Sequence, residues 1–467
     1  MAVKSCNHDS RKETMSTEKN YRIIYGAFLL FSLIINSGPA YSGYGSTGGG
    51  GKEKIGDQET TKTPAISQKV YEKLTEAQKL IEEKQFTAGL AVMGELRATE
   101  SKLTNYERAQ MWNVYAYTYY LQEKYNDSIN SYEKLVAIPD IPEGLVTSSI
   151  NTLAQLYFTV ENYKKALESA NRLINMVDEP SDTIYLLIAQ SYYQLNQFKE
   201  AIKPMETVIN NAKSRGEKPK ENWLLLLRVI YYELKDYKKM IAILHELLSL
   251  YPKEQYLRTL GAIHSEMGNT KKQLAVMEAL YEKGYVTDER DIINLANLYL
   301  LHEVPYKAAK IMEQGMNKKI INQNVKNLRL LSQAWYQARE DKKSITPLKR
   351  AADISGDGEL YVRLGQSYMN LDQWENAAEA LKTALAKGGL KRTDTANIML
   401  GVSLFNQKRY ENARDAFRTA SRSKDKRSQN EAVNWIAFID SELERAKLMQ
   451  EKAMQHGIEE QIEEQIN

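Results

Sequence analysis

The sequence predicts an all-α protein, a solenoid of about ten helical hairpins closed by a C-terminal capping helix. Three observations carry that expectation. From about Val70 onward, apolar residues recur at helical spacing in paired segments separated by a short turn. The same frame of large, small and aromatic positions returns ten times in register. The composition, with 30 tyrosines against 8 phenylalanines, suits an architecture that uses tyrosine at recurring half-buried positions. The 467 residues are 43% hydrophobic and 26% charged, enough apolar material for several cores and no case for wholesale disorder.

Ahead of the repeats, Ile23 to Ile35 form a 13-residue uncharged stretch preceded by Lys19 and Arg22. A bilayer span takes roughly 20 apolar residues and a secretory h-region roughly 7 to 15, so length favours a signal peptide over residues 1–42. Small residues at Gly38-Pro39-Ala40 and Ala40-Tyr41-Ser42 offer cleavage after Ala40 or Ser42. Met15 gives a tidier start than Met1. The alternative is an uncleaved N-terminal anchor, the one way this chain is expected to meet a membrane; on either reading the bulk of the chain is exported, to the periplasm. The single cysteine, Cys6, would leave with the signal.

Residues 43–65 are rich in glycine and polar groups and read as a flexible linker. Its GGGGKE run is no phosphate loop: the residue after Lys52 is Glu53 in place of Ser or Thr, and no strand precedes it.

The repeat region spans 66–427. In the clearest unit the frame is Tyr361, Leu364, Gly365, Tyr368, Trp374, Ala377, Leu381 and Ala384; an early unit holds Trp112, Tyr115, Ala116, Tyr119, Tyr125, Ser128, Tyr132 and Leu135 in the same slots. The units begin near 70, 109, 147, 182, 221, 254, 289, 325, 358 and 394, and nine steps from 70 to 394 give a mean period of 36 residues. A small residue at position 8 lets the first helix of a hairpin approach the second, while the tyrosines leave their hydroxyls at the edge, within reach of water. Thr270, Pro305 and His264 depart from the frame, though Pro305 falls between helices, where proline is harmless. Residues 428–454 read as the capping helix, with Val433, Ile436, Ala437 and Leu443 facing inward, and 455–467 as an acidic tail in which Ile458, Ile462 and Ile466 share a line.

The pattern from Val70 to Ala420 resembles the tetratricopeptide repeat family, which implies a right-handed superhelix that binds proteins. At a closer level, the export signal, the glycine-rich spacer and stretches such as LAQLYFTVENYKKALESANRLI look like the periplasmic repeat proteins encoded alongside TonB-type energy-transduction systems of gamma-proteobacteria. That resemblance implies a scaffold accessory to a TonB-dependent transport system, with TonB-, ExbB- and ExbD-type components as partners. The alternative is a periplasmic or membrane-tethered assembly factor for cell-envelope proteins.

No constellation points to an enzyme, a cofactor or a metal. DISGDGE imitates the start of a calcium loop, but its twelfth position is Leu364 where a bidentate Glu is needed. His245 and His264 have no second ligand at metal spacing, and no nucleophile motif occurs. With 63 Lys and Arg interspersed among 60 Asp and Glu, the net charge of +3 disfavours nucleic acid as a partner. What remains is a surface. In the family that the pattern resembles, the first helices line a concave face, and positions 2, 5, 9, 12 and 13 point there. They hold Asn113, Tyr117, Tyr120, Asn151, Gln155, Phe158, Gln190, Tyr193, Tyr232, Asn297, Arg329, Gln333, Tyr336 and Gln366. Amides can pair with a peptide backbone and aromatic rings can anchor side chains, so these are the expected peptide-binding residues. The competing reading is packing, since position 12 is an aromatic slot of the repeat. The lysine and asparagine set by which chaperone-docking members hold a terminal carboxylate is incomplete.

Overall fold

The computed structural model describes residues 65–466, so the expected signal and nearly all of the linker lie outside the described residues. The described chain is all-α, apart from one 3-10 turn at Glu100–Lys102, and divides into two compact units, the first ending at Tyr251 and the second beginning at Pro252.

The first unit is five hairpins. They are α1 (Gln68–Glu82) with α2 (Phe86–Arg97), α3 (Asn105–Leu121) with α4 (Tyr125–Val136), α5 (Glu143–Thr159) with α6 (Tyr163–Ile174), α7 (Asp182–Gln194) with α8 (Phe198–Ser214), and α9 (Glu221–Glu233) with α10 (Tyr237–Leu250). The second unit repeats the plan with α11 (Glu254–Glu266) and α12 (Thr270–Glu282), α13 (Glu289–Leu301) and α14 (Pro305–Asn317), α15 (Val325–Gln337) and α16 (Asp341–Ser355), α17 (Gly358–Met369) and α18 (Trp374–Lys387), and α19 (Thr393–Asn406) and α20 (Tyr410–Ala420), followed by α21 (Lys426–Ile466). Within each unit the two helices of a hairpin pack together and the second packs on the first helix of the next hairpin. This is the solenoid of helical hairpins that the sequence predicts.

The turn inside every hairpin has one construction. Two residues past the first helix, or three in the hairpin that follows Met369, the backbone turns left-handed, at Lys84, Glu123, Glu161, Asn196, Lys235, Gly268, Glu303, Arg339, Asp372 and Lys408. The N–H of that residue and of the next then bond back to the helix's last turn, as in Lys235 N to Tyr232 O at 2.9 Å and Asp236 N to Tyr231 O at 2.9 Å. This satisfies carbonyls that a helix end otherwise leaves orphaned. Only one of the ten is glycine, so nine turns hold a side chain where L-residues are disfavoured by roughly 1–2 kcal/mol.

Tyrosine joins successive hairpins, and its partner is a carboxylate where water was expected. The Tyr157 hydroxyl of α5 donates to Glu133 of α4, and Lys165 of α6 lies 3.0 Å from the same carboxylate and over the Tyr157 ring. Tyr231 donates to Glu206 at 2.9 Å with Lys239 over its ring, and Tyr299 donates to Glu278 at 2.9 Å with Lys307 2.8 Å from Glu278. Each Lys stands eight residues after its Tyr, across the turn, so the aromatic slot of one hairpin clasps the second helix of the preceding one. Burial and the Glu133 hydrogen bond push the Tyr157 hydroxyl up to about 12; burial and their carboxylate partners also hold Tyr231 and Tyr299 above the ordinary tyrosine range.

The capping face differs from expectation. Val433 and Ala437 are exposed, while Ala432 and Ile439 are fully buried and Trp435, Ile436 and Leu443 pack against the same core. Trp435 decides this register by stacking on Phe417 at 5.3 Å, which turns its own side of the helix inward. The helix itself continues through the expected tail to Ile466.

Candidate functional site

The first helices of the hairpins carry all fourteen expected binding residues, in different states. Four of the aromatics are committed to packing. Tyr120, Phe158, Tyr193 and Tyr232 are half-buried, and each meets the first residue of its partner helix: Tyr125 at 6.3 Å, Tyr163 at 5.2 Å, Phe198 at 5.6 Å and Tyr237 at 6.5 Å. Here the packing role of position 12 is realised. Gln190, expected on the open face, is buried at 5% exposure with its Nε2 unpartnered, because α7 is enclosed along the whole of Leu186 to Ser191. Asn113, Tyr117, Asn151 and Gln155 are half-buried on α3 and α5, and Asn297 is exposed on α13.

The remaining four converge. Arg329, Gln333 and Tyr336 of α15 and Gln366 of α17 line one pocket of about 250 Å³ in the second unit, together with Ser332, Leu348, Arg363 and Ser367. Ser332, Leu348 and Ser367 are buried and form its floor, while Arg329, Gln333, Tyr336, Arg363 and Gln366 are exposed and form its rim. Ser332 is fixed by donating to the Ser344 carbonyl at 2.9 Å, and the Gln366 amide bonds Asn370 at 3.0 Å. Among the described residues neither Arg329 nor Arg363 has a carboxylate partner, and Tyr336 keeps 45% of its surface exposed because its turn carries Asp341 where seven of the hairpins carry an aromatic.

Sequence reasoning missed Arg363. The assigned frame places half-buried Val362 at position 5, one residue short of Arg363, although Arg363 follows Arg329 by 34 residues, close to one repeat length. The apolar floor was not legible either, because Leu348 belongs to the second helix of the hairpin. The arrangement can do recognition chemistry: planar guanidinium donors, amides that both donate and accept, and an aromatic face above a small apolar floor.

The residues that imitate a calcium loop have other duties. Gly356 ends α16 at φ 64°, Asp357 caps α17 by accepting from Glu359 N at 3.0 Å, and Asp353 accepts from the Tyr361 hydroxyl at 2.9 Å. Among the described residues no cluster of His, Cys, Asp or Glu is assembled to hold a metal ion, and no helix is long and apolar enough to cross a membrane.

Tetratricopeptide repeat models match residues 109–139 and 362–427, and a model of subunit 3 of the anaphase-promoting complex, or cyclosome, matches residues 159–247. No curated protein matches the chain. Similar solved structures include a tetratricopeptide repeat protein from Parabacteroides merdae, 14% identical over 60% of this chain and 99% of that one, with a TM-score of 0.31. They also include the TPR2AB domain of yeast Sti1 in a pHSP90 complex, 15% identical over 58% of this chain and 99% of that one, TM-score 0.31. The protein MamA is 15% identical over 38% of this chain and 93% of its own, TM-score 0.31. Repeat length, the hairpins and the matched models agree: the described chain is an all-α array of helical hairpins, of which residues 109–139 and 362–427 match tetratricopeptide repeat models.

Proposed function

We propose that this chain is a non-catalytic scaffold that holds an extended segment of a partner protein against the first helices of its hairpins. The observation that carries the reading is the α15–α17 pocket, where exposed Tyr336, the Gln333 and Gln366 amides, and the guanidinium groups of Arg329 and Arg363, which lack a carboxylate partner, surround a buried floor of Leu348 and two serines. Stacked hairpins leave such surfaces open, and extended peptides are recognised by backbone pairing to amides together with side-chain anchoring. Within the same proposal, the protein is exported to the periplasm and serves as an accessory of a TonB-type transport system; the apolar run Ile23 to Ile35 supports export.

The test is crosslinked capture from intact cells with the full-length chain and its Tyr336→Ala variant. Partners captured by the parent chain are expected to fall at least about fivefold in the variant, as for an interfacial aromatic anchor worth 1 kcal/mol or more. Unchanged capture refutes the choice of face. Recovery of TonB-, ExbB- or ExbD-type proteins supports the transport role, and their absence from an otherwise Tyr336-dependent set refutes that role while the scaffold reading stands. An alkaline phosphatase fusion after residue 65 that is inactive refutes export.

A further inference from the structure

The scaffold reading does not say what the second unit selects, and the electrostatics around the α15–α17 pocket do. Between residues 325 and 369 stand eight Lys and Arg against five Asp and Glu, a formal charge of +3 that equals the net charge of the entire chain. α15 carries Lys326 and Arg329 and no acidic residue, and α17 carries Arg363 and one acid, Glu359. Four of the five acids are already engaged. Glu359 accepts from Lys391 N at 2.7 Å, Asp357 caps α17, Glu340 pairs with Lys343 at 3.0 Å, and Asp353 pairs with Lys349 at 3.2 Å and with the Tyr361 hydroxyl. The fifth, Asp341, lies at the first turn of α16 and is not among the residues lining the pocket. Among the described residues Arg329 and Arg363 are therefore left without an intramolecular counterion, and guanidinium groups pair with carboxylates through short, paired hydrogen bonds.

Resting on the scaffold reading, we propose that this pocket takes an Asp or Glu side chain of an extended acidic peptide. Arg329 and Arg363 grip the carboxylate, Gln333 and Gln366 pair with the flanking peptide groups, and a neighbouring aliphatic side chain settles on Leu348 beside the Tyr336 ring. At about 250 Å³ the pocket is smaller than the ~300–1,000 Å³ usual for a small-molecule cleft and is sized for one or two side chains. A nucleic-acid strand is disfavoured, since it calls for a track of cations along successive phosphates and the chain outside this segment is charge-balanced.

The experiment is fluorescence anisotropy on the full-length chain with two labelled ten-residue probes, one alternating Glu with Leu and one alternating Gln with Leu, both amidated at the C-terminus. The acidic probe is expected to bind at least tenfold more tightly, and the Arg329→Gln/Arg363→Gln double variant to abolish that preference while keeping the parent's circular dichroism. Arg329→Glu/Arg363→Glu should reverse it, favouring a Lys-Leu probe. Equal binding of the acidic and neutral probes, both weakened by Tyr336→Ala, overturns the carboxylate assignment and leaves the scaffold reading intact. An acidic preference that survives both arginine variants overturns the assignment to this pocket. Binding of neither probe overturns the carboxylate assignment and the choice of face together. Displacement of the acidic probe by a single-stranded oligonucleotide at equal molar concentration overturns the peptide in favour of nucleic acid.

Discussion

Position 8 of the repeat offers a test in which one substitution at three equivalent sites should give three different outcomes. Gly261, Gly365 and Gly401 occupy this slot in the second unit, each facing the second helix of its own hairpin. A Cβ on Gly401 would lie 2.6–2.8 Å from three atoms of the Phe417 ring. That ring is fully buried and stacked on Trp435 at 5.3 Å with an interplanar angle of 4°, so it has nowhere to retreat. On Gly365 the new methyl would meet the Cγ of Leu381 at 2.6 Å, a side chain that is also fully buried but is aliphatic, with more torsional freedom than a stacked ring. On Gly261 it would meet Val276 at 3.4 Å, near ordinary contact. Replacing a helix-interior glycine by alanine gains about 0.8–1 kcal/mol of propensity, while overpacking costs typically 1–3 kcal/mol. Gly401→Ala should therefore lose about 1–2 kcal/mol, Gly365→Ala should lie within about 1 kcal/mol of the parent on the destabilised side, and Gly261→Ala should gain up to about 1 kcal/mol. Urea unfolding followed by circular dichroism measures the series. A Gly401→Ala protein as stable as the parent, or a Gly261→Ala protein that is the least stable, refutes the argument that close approach sets the residue type at position 8.

Two further outcomes follow from the turns and the tyrosines. Lys235→Gly relieves a left-handed residue at φ 57° and should raise stability by about 0.5–1 kcal/mol after the entropy of glycine in the unfolded chain is subtracted; a loss in urea unfolding contradicts it. Tyr157→Phe removes the hydroxyl clasping Glu133 and should cost about 1 kcal/mol at neutral pH. Because the folded-state value of Tyr157 is raised to about 12 above an unfolded value near 10, the folded protein holds the proton more tightly. Its contribution is thus complete below about pH 10 and is lost as pH rises towards 12. Tyr157→Phe should flatten the fall in stability across that window, and an unchanged slope would refute the clasp as its source.

The hairpin boundaries were legible in the sequence to within a few residues. The first helices of the fourth to ninth hairpins begin at 182, 221, 254, 289, 325 and 358 as the frame predicts, while those of the second and third begin at 105 and 143 where 109 and 147 were expected. The second starts early because Thr104 and Glu107 form a reciprocal cap, with Glu107 N bonding Thr104 Oγ1 at 3.2 Å and Thr104 N bonding Glu107 Oε2 at 2.9 Å. That cap was present in the sequence as T-x-x-E but lay outside the apolar rhythm used to set the frame.

Periodicity alone determined the all-helical class, the hairpin and its repeat length, because which face of a helix is apolar is a local property of the chain. It could not determine which polar side chains on the first helices stay free. Gln190 and Gln366 hold the same repeat position and differ only in their neighbours, one enclosed within α7 and the other on the rim of a pocket. Tyr232 and Tyr336 likewise share a slot, and the residue five places on, Tyr237 or Asp341, decides whether the ring packs or is exposed. Exposure at such positions is fixed by contacts between residues distant in sequence, so only the tertiary structure could bring Arg329 and Arg363 to one recess and leave both without a counterion.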